Sequence, residues 1–157
     1  MRILFGSLGP AACALLAGCV TFSSSRDPVS RQVSNEVALS DSRAHESLTL
    51  SNLAALERSL NDYIQAKKRI PAKLTELIPD YLAEIPETSL GLREHGDSKE
   101  VRYYPGSVIL EGQINGALLD DKGGWGYAFN DTQVIVFVDC THKRLDGSLW
   151  YRARGVF

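Results

Sequence analysis

From about Glu46 to Lys68 the apolar residues recur at steps of three and four. Leu53, Leu56, Leu60 and the pair Tyr63/Ile64 make one stripe, and Glu57, Arg58, Asn61, Asp62, Gln65 and Lys68 lie off it. That period predicts an amphipathic helix with the stripe turned to a core. Lys67, Lys68 and Arg69 fall in the last turn, where cations complement the helix dipole, and Pro71 stops simple continuation. Leu74, Leu77 and Ile78 repeat the spacing over Lys73–Ile78, a second, shorter helix closed by Pro79. The stretch from Glu87 to Lys99 is polar, holds Gly91 and Gly96, and reads as a surface loop.

Beyond it the period falls to two. Val101–Tyr104 and Ser107–Gln113 read as strands around the turn dipeptide Pro105-Gly106. Trp125, Tyr127 and Phe129 alternate with Gly126 and Ala128, as in a half-buried antiparallel strand with close packing behind it. Val134–Val138 is unbroken apolar sequence, expected of a central strand, and Leu149-Trp150-Tyr151 reads as a last one. Short loops between the last three strands predict a meander. The class expected is α+β, a helix packed on an antiparallel sheet.

The N-terminus has a different character. Met1-Arg2 precedes an uncharged run, Ile3 to Gly18, interrupted by Gly6, Gly9 and Pro10. It is short of the ~20 apolar residues of a membrane-spanning helix and reads as a secretory leader. Leu16-Ala17-Gly18-Cys19 at its end resembles the lipobox of bacterial lipoproteins. The resemblance implies that signal peptidase recognises Leu16, Ala17 and Gly18. It implies that Cys19 carries a diacylglyceryl group, with palmitate among its acyl chains, and becomes the first mature residue. Val20 stands where enterobacterial lipoproteins kept at the inner membrane usually have Asp, which favours the outer membrane. Residues 20–43 are rich in Ser and Arg, without a sustained period, and read as a disordered tether. The expected layout is a leader over 1–18, lipidated Cys19 and tether over 19–45, and a globular domain over 46–157.

That domain resembles the globular part of type IV pilin-like proteins, above all the major pseudopilin of type II secretion. The resemblance rests on Leu60-x-x-Tyr63, on Ile70-Pro71-x-x-Leu74-x-x-Leu77-Ile78-Pro79-x-Tyr81-Leu82-x-x-Ile85-Pro86, and on Gly123-Gly124-Trp125-Gly126-Tyr127 followed by Val134–Val138. It covers about residues 48–140. The prepilin peptidase site and long apolar N-terminal helix of that family are missing. The resemblance therefore implies the globular fold and an assembly or interaction role in the cell envelope, beside secretion or pilus machinery, without filament polymerisation. Some members of the family bind calcium in loops near the C-terminal strands. Asp120, Asp121, Asn130, Asp131 and Asp139 are the oxygen donors of that stretch here, but they do not match the calcium-loop pattern and read as solvated carboxylates.

Composition narrows the rest. Of 157 residues, 44% are hydrophobic and 23% charged, enough for one core, and a net charge of −2 offers no basic field for nucleic acid. With Cys13 lost in the leader and Cys19 lipidated, Cys140 is the one thiol left, read as a small buried apolar residue at a strand end, with an intermolecular disulfide or reactive thiol as the alternative. His45 and His95 read as solvated, and no histidine lies in a metal-binding motif. Nor is there a nucleophile elbow or a phosphate loop. The expectation is a non-enzymatic protein with no cofactor beyond its lipid. Two alternatives stay open. One is a thiol protein or enzyme using Cys140 and His142, which face the same side of a strand end. The other is a glycan binder using Trp125, Tyr127, Phe129, Trp150 and Tyr151.

Overall fold

The computed structural model describes residues 28–154, so the leader, Leu16, Ala17, Gly18 and Cys19 lie outside the described residues. Helix α1 runs from Pro28 to Lys67 and is 40 residues long. Its second half is the helix expected from the stripe: Leu53, Leu56, Leu60 and Tyr63 are buried and Ile64 packs beside them. Lys68 then turns into the left-handed region at φ 56°, and its N–H still reaches the Ile64 carbonyl at 2.8 Å.

The first half departs from expectation. Residues 28–45, read as tether, are helical, and 28–40 are exposed all round. Low apolar content suggested disorder, but between 29 and 67 there is no Gly or Pro to break a helix. Nucleation is the costly step of helix formation, and the packed half supplies it. Gln32 donates to Glu36 one turn on, at 3.1 Å.

The short unit after Pro71 is a 3₁₀ turn, Leu74–Leu77, with both leucines buried. Glu76 is its hub. One carboxylate oxygen accepts from the Tyr63 hydroxyl at 2.8 Å and Arg69 Nη2 at 2.7 Å; the other accepts from the Ala72 and Lys73 N–H groups. The Tyr63 hydroxyl, then Arg69, hold its pKa down to about 2. A carboxylate depressed on folding stabilises fully above its unfolded value and loses that contribution as pH falls through its folded one. Glu76→Gln should therefore lower stability at neutral pH and flatten the loss of stability between pH ~4.5 and ~2. Urea titrations across that range check it; an acid slope equal to wild type contradicts it.

Strands β1 (Val101–Tyr104), β4 (Trp125–Phe129) and β5 (Val134–Val138) form a sheet in the order β1-β4-β5. β4 and β5 are antiparallel, but β1 runs parallel to β4, Val101 opposite Trp125. The sheet is thus mixed rather than antiparallel. The chain between β1 and β4 crosses the sheet through a small antiparallel hairpin, β2 (Ile109–Leu110) with β3 (Gln113–Ile114), where one strand over 107–113 was expected. That crossover returns the chain in its original direction.

The hairpin also explains the burial. Trp125, Tyr127, Val136 and Val138 face α1 in the larger core. Ala128 and Phe137 face the other way, under Val108, Ile114 and Tyr151. Because both faces are covered, β5 is apolar throughout although it stands at the end of the strand order, and β4 is the central strand. Phe129, which the alternation puts on the face of Trp125 and Tyr127, is 40% exposed. The last expected strand is instead a 3₁₀ turn, Trp150–Arg152, which sends Trp150 to one core and Tyr151 to the other.

Candidate functional site

Three loops meet where β5 ends. The ladder runs on past the strands: Asp139 N–H reaches the Gly124 carbonyl at 3.0 Å and Gly123 N–H the Asp139 carbonyl at 2.8 Å. Cys140 and His142 follow and share a side, as their spacing implies, with Cys140 Sγ 3.5 Å from His142 Nδ1. Asp121, at φ 53°, comes from the loop before β4. Its Oδ1 accepts the Thr141 N–H at 2.8 Å and its Oδ2 the Thr141 hydroxyl at 2.7 Å. His95 comes from the polar loop and rests on Gly123, whose φ of +73° and missing Cβ leave it room: a Cβ there would stand 3.2 Å from His95 Cβ.

These four side chains converge. His95 Nε2 is 3.2 Å from His142 Nδ1 and 3.4 Å from Asp121 Oδ1, and His142 Nδ1 is 3.6 Å from the same oxygen. One ligand atom from each of His95, Asp121, Cys140 and His142 lies within 4.8 Å of all the others. The His95 side chain is 4% exposed, Asp121 30% and His142 38%, and Cys140 is fully buried. His95 is therefore buried, against the expectation of a solvated loop histidine. His45 is also partly buried, its Nδ1 2.6 Å from Ser89 Oγ.

Electrostatics separates the roles of the group. Burial pushes the Cys140 thiol up to about 12, with nearby Asp121 and Asp139 adding to the rise. That is the opposite of an activated nucleophile, whose pKa is lowered. Burial also acts to raise Asp121, but the two bonds from Thr141 and the nearby histidines outweigh it and leave its pKa lowered.

The other acidic residues do not join this group. Asp120 stands 3.6 Å from Arg102 and is largely exposed. Asp131 lies in the exposed turn after β4. Asp139, expected to be solvated, is fully buried, with Arg102 Nε 3.3 Å from its Oδ2. Burial raises its pKa, against the Tyr104 hydroxyl and the Arg102 charge. Of the five aromatics considered for glycan stacking, Trp125, Tyr127, Trp150 and Tyr151 are buried.

Cys140 and His142 were legible as a pair. His95 and Asp121 were not, because 47 positions separate His95 from His142 and no short motif spans them. Comparison with protein-family models, curated proteins and solved structures finds no match to this chain.

Proposed function

We propose that this chain is a lipid-anchored, non-enzymatic interaction or assembly module of a bacterial cell envelope, with a pilin-like body that works beside type II secretion or type IV pilus machinery. The observation that carries the reading is α1. Its second half packs on the sheet, which supports a helix-on-sheet body, and its first 13 residues stand exposed on every side. At 1.5 Å per residue that exposed part is ~20 Å long, a stalk between an anchor and a body. Polar clasps fix the angle at which stalk meets body: Glu46 accepts from Arg144 at 2.8 Å and from the Leu145 N–H at 3.0 Å.

Among the described residues no helix is long and apolar enough to cross a membrane. In this reading the acyl chains on Cys19 provide attachment, since two or more chains anchor stably at ~0.8 kcal/mol per buried CH₂. In the same reading Val20 favours the outer membrane, with the body facing the periplasm or the cell exterior. A net charge of −2 offers no basic field to hold nucleic acid, which fits a protein or membrane partner better.

Metabolic labelling with a palmitate analogue tests the anchor. Wild type should take up label and sediment with membranes; Cys19→Ser should lose both. Unlabelled wild type, or a labelled Cys19→Ser chain, overturns it. Photo-crosslinking from Ser34 on the stalk tests the partner. Adducts with secretion or pilus subunits support the assembly role, and their absence in cells carrying those machines counts against it.

A further inference from the structure

We propose that His95, Asp121, Cys140 and His142 form a tetrahedral site for a single zinc ion, which pins three loops at the end of the sheet. The inference stands apart from the lipid anchor and from any envelope partner.

The distances carry it. Zinc binds nitrogen and oxygen at about 2.0–2.2 Å and thiolate sulfur at about 2.3 Å. A tetrahedron's edge is about 1.63 times its centre-to-vertex length, so ligands around zinc stand ~3.3–3.6 Å apart. Four of the six edges here measure 3.2 Å (His95 to His142), 3.4 Å (His95 to Asp121), 3.5 Å (Cys140 to His142) and 3.6 Å (His142 to Asp121). The remaining two, from Cys140 to His95 and to Asp121, are within 4.8 Å.

His142 Nδ1 carries at most one proton, along one direction, yet has three ligand atoms within 3.6 Å. A cation at the centre of the four takes one lone pair from each.

The donor set selects the metal. Two imidazoles, one carboxylate and one thiolate suit borderline-soft zinc and do not suit calcium, which takes six to eight oxygens. Four protein ligands leave no open position, which marks a structural rather than a catalytic site. Thr141 supplies the outer layer, its N–H and hydroxyl each holding one Asp121 oxygen. The partly exposed His142 and Asp121 leave a way in for the ion. On binding, the zinc–sulfur bond forms as the Cys140 S–H proton leaves to solvent, with no change of oxidation state.

The ion would link distant parts of the chain. His95 belongs to the loop between the 3₁₀ turn and β1, Asp121 to the crossover before β4, and Cys140 and His142 to the segment after β5. No other group of three or more His, Cys, Asp or Glu among the described residues offers such convergence.

The test is cobalt and zinc titration of the purified, chelator-stripped chain. Cobalt should saturate at one equivalent and give the intense visible bands of a tetrahedral centre, with a sulfur-to-cobalt charge-transfer band. Zinc should displace it. X-ray absorption of the zinc form should find one sulfur at ~2.3 Å and three nitrogen or oxygen ligands at ~2.0–2.2 Å. Cys140→Ser should lose the charge-transfer band, and Thr141→Val should weaken zinc binding about 10- to 100-fold. If Cys140→Ser fails to fold, X-ray absorption of the wild-type zinc form decides alone. Failure to saturate, a weak octahedral cobalt spectrum, or a zinc shell without sulfur overturns the proposal. None of these readouts depends on Cys19 or on a partner.

Discussion

Trp125→Ala should destabilise the protein by ~3–5 kcal/mol, the usual cost of emptying a large aromatic site in a core. Trp125 is fully buried in the central strand, among the leucines of α1 and the side chains of β5. Domains of this kind are stable by only ~5–15 kcal/mol, so the variant should retain a small part of wild-type stability. The ring does more than fill space. Its Nε1–H donates to the Pro86 carbonyl at 2.7 Å and ties β4 to the start of the loop that carries His95. Trp125→Phe separates the two effects. It keeps most of the apolar volume and drops the bond, so it should cost less than alanine, with ~1–3 kcal/mol from the orphaned carbonyl. Urea denaturation followed by far-ultraviolet circular dichroism measures both, with midpoints shifting at constant slope. An alanine variant within 1 kcal/mol of wild type would show that the site collapses and that Trp125 does not organise the core.

The parts of this fold that were readable are those governed by local period. The stripe Leu53, Leu56, Leu60, Tyr63 is buried as its spacing demands. The alternation Trp125-Gly126-Tyr127-Ala128 marks a strand with large residues on one face and close packing on the other, and both are present. Strand direction is not local. Whether β1 lies parallel or antiparallel to β4 depends on the path of the 20 residues between them, and a two-residue pairing such as Ile109–Leu110 with Gln113–Ile114 leaves little periodic trace. The helical state of residues 28–45 is hidden for a related reason: a polar segment without helix breakers takes its state from what adjoins it, here a helix already nucleated by packing. Cys140 and His142 are legible as a pair because they are neighbours in the chain. His95 sat in a stretch that is polar on average, and a residue's burial does not follow its segment's mean polarity. Only the folded path brings Gly123 under His95 and its ring to Asp121.

Gly126→Ala should destabilise by ~1–3 kcal/mol, although alanine within a strand ordinarily gains ~0.5–1 kcal/mol over glycine. The sign turns on one contact. An added Cβ would stand 2.8 Å from Phe137 Cδ2 and closer still to Cε2 and Cζ, because the Phe137 ring lies across the glycine it opposes in the β4–β5 register. The ring is held there. It is fully buried, clustered with Val108, Ile114, Ala128 and Tyr151, and lies 5.7 Å, centroid to centroid, from Tyr104. Relief requires moving the hairpin or the strand, so overpacking outweighs the entropy gained. Phe137→Leu removes the far end of the ring at its own cost of lost burial. In the double variant the alanine methyl occupies part of the vacated space, and the two changes should couple favourably, by ~0.5–3 kcal/mol relative to their sum. A Gly126→Ala chain as stable as wild type, or a double variant whose effects simply add, would mean that Phe137 can swing aside and that this second core layer is softer than its burial implies.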